Sequence, residues 1–541
     1  GEIPKESYDV KFTAVNGTVE PETLTVLQGE VKQATFTAGN VNALVNVKSG
    51  EASEDIVFKD ESSQHDYHGV IYVDVNGDDN NDGSLNSPVS SIAKAIERAN
   101  DGLGQIVINE GTYKGNMYHV TKALNVTGNG NVVLDADGDR LFTMEYGDSA
   151  DWLILTNLTV VGANNYHGQV VYSFADDLIL TNVKLTENPG SGSLIKNYGK
   201  LTMDSCVVAN HNGGNIIDGG SINITNTVFE NNTVTDYAII YTTSNTNAVI
   251  ENTTFANHEG RLGIVKVSGK VTVRDSRFTN NTNNVGYGGA INDFDELTVT
   301  NSTFIGNKAD KDAGAIHVAT NKKATITKSV FIDNAAGAGY HGDAVRNAGE
   351  LTINYCVLLS DGENGIIYSS SEDEVNAKYN WWGTNSNPQS LNDVGNYEDE
   401  WGDDAPSEID SSRWVVMNVA TDLTGEAIEV GDNVEITVDF TNYMDPANNL
   451  KPLSDSIPEL EVKSGAVNGD LNSTEAVTKD NVVKFIYTAV NPGDDTVTVS
   501  SSKASIEIPI TVEGAAESVT YVDGANGADA NDGKTRETAV K

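Results

Sequence analysis

Acidic and amide side chains alternate early in the chain with a spacing that suits a metal ion. They are Asp74, Asn76, Asp78, Asn80 and Asp82. Calcium is a hard cation that takes about six to eight oxygen ligands, so carboxylates and amides are the ligand types it prefers. The stretch lacks the terminal glutamate of an EF-hand loop, and turns rich in Asp and Asn also form beside glycine without a metal. The sequence therefore predicts either a calcium site or a set of solvated turns, and no motif requires another cofactor.

A carboxylate, an imidazole and a guanidinium recur further along the chain, at intervals that a repeated fold can bring together. The residues are Asp293, His317 and Arg346. General acid and base chemistry on a polysaccharide needs such groups within hydrogen-bond reach of one substrate. The simpler interpretation is a polar surface of stacked repeats, because proximity alone does not make a catalytic site. The choice depends on the elements that position these side chains.

The secondary-structure elements that position these side chains are repeats of one sequence motif, here called a phrase. One copy is LTVTNSTFIGN, from Leu297 to Asn307. Nine copies place a large apolar residue at their eighth position every 21 to 27 residues. A period of this size indicates a solenoid whose turns cannot bury their apolar side without neighbours. Apolar Leu297 and Val299 alternate with Thr298 and Thr300, and this period of two predicts strands and excludes a helical repeat.

A second phrase lies between the copies, for example GGAIND from Gly288, and predicts another short strand in each turn. Two or three strands per turn, joined by Gly- and Asn-rich corners, predict a parallel β-helix. Turns stack at the strand spacing of about 4.8 Å, so equivalent residues lie over one another. We therefore expect an internal aromatic stack and an asparagine ladder, formed by Phe278, Phe304 and Phe331 and by Asn281, Asn307 and Asn334.

The two cysteines, Cys206 and Cys356, occupy the same position of their repeats six turns apart. Stacking separates them by about 29 Å, far beyond the reach of a disulfide. We expect both to be small buried side chains.

The phrases GGAI and FxxN resemble those of bacterial polymorphic outer-membrane proteins. Together with YNWWGTNSNP from Tyr379 to Pro388, they resemble the adhesin-like proteins of methanogenic archaea. The resemblance implies a right-handed β-helix displayed on the cell surface of an archaeal methanogen, and its two indoles are expected to close the lower end of the helix. The motifs of β-helix pectate lyases and polygalacturonases are absent.

Five segments follow from these patterns. Residues 71–390 form the β-helix, with a cap helix near Ile92, and residues 413–513 have the length and strand density of an immunoglobulin-like sandwich. Residues 1–70 match the second half of that sandwich, and residues 391–412 are an acidic linker. Tyr521 repeats the phrase that begins at Tyr72, 449 positions earlier, so residues 519–541 begin a next β-helix unit. The predicted fold class is all-β, a right-handed parallel β-helix flanked by immunoglobulin-like β-sandwich domains.

The charge and the apolar pattern restrict the partners. A net charge of −44 excludes a nucleic-acid backbone, since that binding depends on Lys and Arg. The chain has no apolar run long enough to span a membrane. The sequons at Asn157, Asn223, Asn252 and Asn301 are glycosylation candidates in an exported glycoprotein.

We therefore expect an extracellular cell-surface adhesin or fibre subunit, with tandem units that attach to glycans or proteins of neighbouring cells, and no catalysis. One alternative is a β-helix polysaccharide lyase or hydrolase. The other is a structural filament whose partner is the adjacent unit of the same protein.

Overall fold

The computed structural model describes residues 7–15, 17–21, 23–27, 35–38, 43–49, 52–58, 69–99, 104–235, 237–242, 246–292, 294–360, 364–391, 394–396, 408–425, 427–514 and 522. Within these ranges the ordered elements are strands, apart from one α-helix, Ile92–Arg98, and one 3₁₀ helix, Pro388–Leu391. The central strands pair in parallel and stack turn upon turn, and two antiparallel sheets follow them. The predicted all-β class, a parallel β-helix followed by a sandwich, is confirmed.

Each turn of the β-helix supplies strands to two columns that meet at a corner. Column 1 contains Val70–Val73, Ser149–Thr156, Asp177–Thr181, Lys200–Asp204, Ile222–Thr225, Ala248–Glu251, Lys270–Arg274, Glu296–Thr300, Lys323–Thr327, Glu350–Asn354, Val375–Asn376 and Ile409–Asp410. Column 2 contains Thr159–Val161, Lys184–Thr186, Val207–Ala209, Val228–Glu230, Thr254–Ala256, Arg277–Thr279, Thr303–Ile305, Val330–Ile332 and Val357–Leu359. The long strands Gly104–Lys114 and Lys122–Asp135 run through both columns.

The other wall of the β-helix is a 12-stranded parallel sheet, column 3. Its strands are Tyr118–His119, Phe142–Met144, Val171–Ser173, Ile195–Asn197, Ile217–Gly219, Ile240–Thr242, Val265–Val267, Ile291–Asn292, Ile316–Val318, Val345–Asn347, Ile367–Ser369 and Val394–Asn396. A short column 4 joins columns 2 and 3 with Asn212–Gly213, Thr233–Val234, Glu259–Gly260, Thr282–Asn283 and Lys308–Ala309. Two strands, Val394–Asn396 and Ile409–Asp410, therefore lie in the segment that we expected to be a linker.

Successive side chains of a strand point to opposite sides, so every second residue enters the core. In the strand Glu296–Thr300, Leu297 and Val299 are buried and Thr298 is exposed. Phe278, Phe304 and Phe331 stack with ring centroids 4.8 to 4.9 Å apart. The predicted aromatic stack is thus confirmed. It extends two turns toward the N-terminus, through Phe255 and Phe229.

A ladder of buried asparagines runs beside the aromatic stack, as predicted. Asn281 Nδ2 donates to Asn307 Oδ1 at 2.9 Å, and Asn307 Nδ2 donates to Asn334 Oδ1 at the same distance. Each side chain also bonds to the backbone of the preceding turn. Asn307 Nδ2 donates to the Phe278 carbonyl, and Asn307 Oδ1 accepts the N–H of Asn281. The ladder thereby pairs backbone groups that the corner would otherwise leave buried and unpaired.

Two histidines replace asparagine in this ladder. His258 is almost fully buried, and its Nδ1 accepts the backbone N–H of Asn232 at 3.1 Å. The backbone N–H of His258 donates to Asn281 Oδ1 at 3.1 Å. Burial lowers the pKa of His258 to about 3, because a charged ring would lose its hydration. Burial also lowers the pKa of His211, the other ladder histidine.

Small polar side chains form a parallel ladder at the corner between columns 1 and 2. The backbone N–H of Ser302 donates to Ser329 Oγ at 3.2 Å, and that of Ser329 contacts Cys356 Sγ at 3.4 Å. Cys206 and Cys356 are both buried and free. Burial raises the pKa of their thiols to about 11 and about 12. Both therefore act as buried fillers, as predicted.

The helix Ile92–Arg98 covers the N-terminal end of the β-helix. Its N-cap is Ser91, whose Oγ accepts the N–H of Lys94 at 3.1 Å. Asp79 fixes this cap, since its Oδ2 accepts the Ser91 hydroxyl at 2.7 Å. Ile92 and Ile96 are buried in the core of the first turns. A lid of this kind protects the open end of a solenoid.

The sandwich that follows has two five-stranded sheets around one core. One sheet contains Trp414–Thr421, Asn433–Met444, Leu450–Pro452, Asp470–Leu471 and Val482–Thr488. The other contains Ile428–Glu429, Glu461–Ala466, Glu475–Val477, Gly493–Ser501 and Ala504–Glu513.

The sandwich packs on the last turns of the β-helix. Trp382 belongs to the β-helix core, whereas Trp381 belongs to the sandwich core and meets Phe440 edge to face at 5.0 Å. Polar contacts surround this junction, including Tyr355 OH to Ser454 Oγ at 2.8 Å. The two indoles were expected to close the helix end together. The structure assigns that role to Trp382 and uses Trp381 to hold the sandwich.

The N-terminal residues form antiparallel strands. They are Ser7–Val15, Gly17–Glu20, Thr23–Leu27, Thr35–Ala38, Ala43–Ser49 and Ala52–Phe58. The last two form a hairpin that closes at the pair Ser49 and Ala52, and the sandwich hairpin closes at Ser501 and Ala504. Each residue of the second pair lies 452 positions after its counterpart, which agrees with the repeat inferred from the sequence. The repeated phrase at Tyr521 lies outside the described residues, apart from Val522.

Candidate functional site

The outward side of column 3 carries the side chains with the richest chemistry. One residue per strand points outward, and the strand register places these residues in a single row. The row contains His119, Thr143, Tyr172, Lys196, Asp218, Tyr241, Lys266, Asn292, His317, Arg346 and Tyr368. The central outward position of the column 1 strands holds mainly uncharged side chains, such as Thr272, Thr298 and Thr325, and charged pairs such as Lys270 and Glu296 lie at the strand ends. The two walls of the helix therefore differ in chemistry.

Six tyrosines in the described part of the chain are exposed, with 36 to 88% of their surface accessible. All six lie in loops that flank column 3 strands, and they are Tyr146, Tyr166, Tyr198, Tyr237, Tyr287 and Tyr340. We call the outward row of column 3 and these six residues the tyrosine face. Exposed apolar side chains that cluster into one patch often mark a binding site, whereas singly exposed ones do not.

The N-terminal half of the tyrosine face is a cluster of rings. Phe174 and Tyr198 stack with centroids 4.2 Å apart, and Tyr146 meets Phe174 edge to face at 5.9 Å. Tyr172 lies beside both Phe174 and Tyr198. Partial burial raises the pKa of Tyr172, and the neighbouring Tyr198 adds to the rise. These contacts hold the rings in fixed positions while leaving the outer ones accessible.

The C-terminal half repeats the arrangement with pairs of rings. Tyr237 stacks on Tyr241 at 4.5 Å, and Tyr287 stacks on His317 at 4.8 Å. Further along, His341 stacks on Tyr368 at 4.2 Å. Flat rings thus recur along much of the wall.

Some ionisable groups on and beside the tyrosine face lie in pairs, whereas Arg140 and Lys311 lie over tyrosine rings. Lys196 Nζ lies 2.7 Å from Asp218 Oδ2 on the adjacent strand, and both side chains are less than a fifth exposed. His119 Nε2 lies 3.0 Å from Asp148 Oδ2. Such pairs offer hydrogen-bond donors and acceptors to a ligand without a strong field of one sign.

The structure brings together two of the three residues of the enzyme alternative. His317 and Arg346 are register partners on adjacent strands of the tyrosine face, whereas Asp293 lies outside the described residues. His317 Nδ1 lies 3.1 Å from Asn292 Oδ1, and the Arg346 guanidinium lies over the Tyr368 ring.

Three other acids near these residues in the sequence, Asp295, Glu296 and Asp312, lie apart in the structure. Asp312 lies near the tyrosine face, where its Oδ1 accepts the backbone N–H of His341 at 2.8 Å and its Oδ2 lies 3.7 Å from Arg346 Nε. Asp295 and Glu296 instead lie at the corner with column 1. There Asp295 pairs with Lys322 and Glu296 with Lys270. The hydrogen bond from Lys270 lowers the pKa of Glu296.

The candidate calcium ligands lie in the loop between Val70–Val73 and the cap helix. Asp74 Oδ1 accepts the N–H of Asn76, Asp78 Oδ1 accepts that of Asn80, and Asp82 Oδ1 accepts that of Ser84. The backbone hydrogen bond from Asn76, followed by the side-chain bond from Asn109, lowers the pKa of Asp74. Among the described residues, no group of three His, Cys, Asp or Glu side chains is arranged to hold a metal ion. The bonds give these acids a role in the turns, and calcium there stays a prediction.

The four candidate sequons differ in the state of their side chains. Asn157, Asn252 and Asn301 are exposed at the corner between columns 1 and 2, in the left-handed conformation, with φ of 55°, 45° and 48°. Asn252 Nδ2 donates to Asn226 Oδ1 at 2.8 Å, and Asn301 Nδ2 to Asp275 Oδ1 at 2.5 Å. Asn223 is half-buried in a column 1 strand. Asn301 also lines the cleft between the β-helix and the sandwich.

Sequence reasoning missed the tyrosines. Tyr287 directly precedes the glycine phrase GGAIND, and Tyr340 lies just before GDAVRN. A tyrosine that recurs beside a glycine corner could have identified these two residues, but not Tyr146 or Tyr198, which follow their strands.

A family model described as a right-handed beta helix region matches residues 167–331. The match supports the predicted handedness and defines the central part of the chain as a right-handed β-helix. No curated protein matches the chain. No helix within the described ranges is both long and apolar enough to cross a membrane.

Two solved structures are similar to parts of the chain. The D0-D1 domain of intimin is 21% identical with a TM-score of 0.14, and the match covers 18% of this chain and 46% of that one. The chain therefore spans just under half the length of the intimin structure. A rhamnogalacturonan lyase is 12% identical with a TM-score of 0.27, and the match covers 57% of this chain and 84% of that one.

Proposed function

We propose that this chain is part of an extracellular adhesin that attaches to glycans on the surfaces of neighbouring cells. The tyrosine face supports this proposal, because it concentrates all six exposed tyrosines of the described residues on one wall. Aromatic rings stack on the apolar faces of sugar rings, and the paired charges beside them can bond to hydroxyl groups. A rigid rod with such a wall presents many weak contacts at once, which favours attachment through multivalency.

Binding to glycans tests the proposal. We expect the wild-type chain to bind immobilised cell-surface glycans, and a variant with Tyr146→Ser, Tyr198→Ser and Tyr287→Ser to lose most of this binding. A variant with Thr298→Ala and Thr325→Ala, on the column 1 wall, is the matched control and should bind like the wild type. Equal binding by all three proteins, or no binding by any, would contradict the proposal.

One observation favours the alternative of a polysaccharide lyase or hydrolase. Asp312, His341 and Arg346 lie together beside the tyrosine face, with Asp312 Oδ1 3.9 Å from His341 Nδ1 and its Oδ2 3.7 Å from Arg346 Nε. A carboxylate, an imidazole and a guanidinium are groups that such enzymes use. Asp312 is, however, already an acceptor for the backbone N–H of His341, which gives it a role in the loop. We therefore prefer attachment without catalysis.

A further inference from the structure

We propose that the tyrosine face binds a neutral, linear polysaccharide that lies parallel to the axis of the β-helix. This inference rests on the proposed attachment to glycans and specifies the ligand. It follows from the direction in which the rings recur, from the pairing of the charges, and from the contrast with the other walls.

The rings recur along the axis. Tyr146 follows the second strand of column 3 and Tyr340 precedes the tenth, so the exposed tyrosines span eight strand spacings, or about 40 Å. Tyr198, Tyr237 and Tyr287 lie between them, beside the fourth, sixth and eighth strands. A ligand that touches several of these rings must therefore extend along the helix. A linear chain of sugars can do so, whereas a short branched glycan reaches only one or two rings.

The charges on this face do not favour an acidic polymer. Lys196 is paired with Asp218, and Arg346 lies next to Asp312. The other cations at the face, Arg140 and Lys311, lie over the rings of Tyr172 and Tyr287. The whole chain carries a net charge of −44, so a polymer of uronic acids or sulfated sugars is repelled before it reaches the face. A neutral polysaccharide avoids this repulsion, and its hydroxyl groups can bond to both members of each pair.

The rings are held in place before a ligand arrives. Phe174 supports Tyr198 at 4.2 Å, Tyr241 supports Tyr237 at 4.5 Å, and His317 supports Tyr287 at 4.8 Å. Binding therefore loses little side-chain entropy, which is the main advantage of a preorganised site. The outward side of column 1 offers threonine at the same spacing, and its aromatic residues Tyr72 and Trp152 are only half-exposed.

Affinity electrophoresis through gels that contain dissolved polysaccharide tests the inference. We expect neutral linear polymers, such as a β-glucan, a galactan or a mannan, to retard the protein, and polygalacturonate and alginate to leave its mobility unchanged. The retardation should be the same at about 50 mM and 500 mM salt, because screening affects only charged contacts. A variant with Tyr198→Ala and Tyr287→Ala should bind at least about tenfold more weakly, whereas the variant with Thr298→Ala and Thr325→Ala should be retarded like the wild type.

Oligosaccharide length tests the orientation. Calorimetry with a dimer and a hexamer of the retarding polymer should show about tenfold tighter binding of the hexamer, because it reaches more rings. Equal affinities would overturn the axial orientation. Salt-sensitive binding of uronates that is lost in the tyrosine variant would overturn neutrality and leave glycan attachment intact. If the protein binds no polysaccharide but still adheres to cells, the inference is overturned. If it neither binds polysaccharide nor adheres to cells, the proposed function is overturned as well.

Discussion

Trp381 and Trp382 are neighbours in the sequence, yet their indoles lie in two different hydrophobic cores. Trp382 closes the lower end of the β-helix, and Trp381 packs against Phe440 in the sandwich. One dipeptide therefore couples two domains. The coupling makes the stability of the sandwich depend on the last turn of the β-helix.

Trp381→Ala should destabilise the sandwich more than the β-helix, by about 3 to 5 kcal/mol, because it opens a large cavity in the sandwich core. Protease should then cut residues 414–513 before the β-helix. Neither indole N–H has a hydrogen-bond partner within the described ranges. Trp381→Phe therefore removes no hydrogen bond and only part of the ring, and this control should cost less than Trp381→Ala. Simultaneous loss of both domains in Trp381→Ala would show that the two cores are not separate.

Phe304→Ala tests the internal stack. Phe304 is fully buried between Phe278 and Phe331, so its removal should lower the free energy of unfolding by about 3 to 5 kcal/mol. Thr298→Ala, an exposed residue on the same turn, should be nearly neutral. Denaturant titration followed by circular dichroism measures both. A loss below about 1 kcal/mol for Phe304→Ala would show that the stack is not a packed core.

His258→Asn should make the β-helix more resistant to acid. The folded state holds His258 neutral with its pKa lowered to about 3, whereas the unfolded chain protonates it near 6.5. The unfolded state thus binds more protons between these values, so stability is unaffected above pH 6.5 and falls as the pH decreases toward 3. The slope is up to about 1.4 kcal/mol per pH unit.

Asparagine removes this slope because it fills the same ladder position as Asn232 and Asn281 without titrating. Thermal melts of the wild type and His258→Asn at pH 7.5 and pH 4.5 measure the effect. The Tm of His258→Asn minus the Tm of the wild type should be larger at pH 4.5 than at pH 7.5. A constant difference would show that His258 is not responsible for acid sensitivity.

The enzyme alternative makes a separate prediction. Incubated with pectin, polygalacturonate or alginate, the protein should release neither unsaturated products nor reducing ends. The reason is that Asp312 is bound to the His341 backbone, and His317 is held against Tyr287 and Asn292. Turnover that Asp312→Asn abolishes without loss of fold would reverse the choice in favour of catalysis.

The repeating part of the fold was predictable because its physics is local and periodic. The alternation at Leu297 and Val299 sets which side faces inward, and stacking at a fixed spacing then brings Phe278 over Phe304. The ladder of Asn281, Asn307 and Asn334 follows from the same rule. Residues at equivalent positions of successive repeats can therefore be placed next to each other without information about the rest of the chain.

The tyrosine face and the Trp381 contact were not predictable in this way. Tyr146, Tyr198 and Tyr287 lie in loops of unequal length, so they share no fixed position within the repeat and do not align as the phenylalanines do. The partner of Trp381 lies in another domain, about 60 residues away in sequence at Phe440, and no local pattern connects the two. Both features depend on tertiary contacts that arise only once the solenoid and the sandwich are assembled.

The asparagine ladder has a direction. Asn307 donates to the carbonyl of Phe278 in the turn before it, and Asn334 donates to that of Phe304 in the same sense. Each turn is therefore completed by a side chain that follows it in the sequence. A chain that leaves a ribosome or a membrane pore with its N-terminus first can seal one turn as the next emerges. Folding in that order, from the helical lid toward the tryptophans, would leave one unfinished turn exposed at a time.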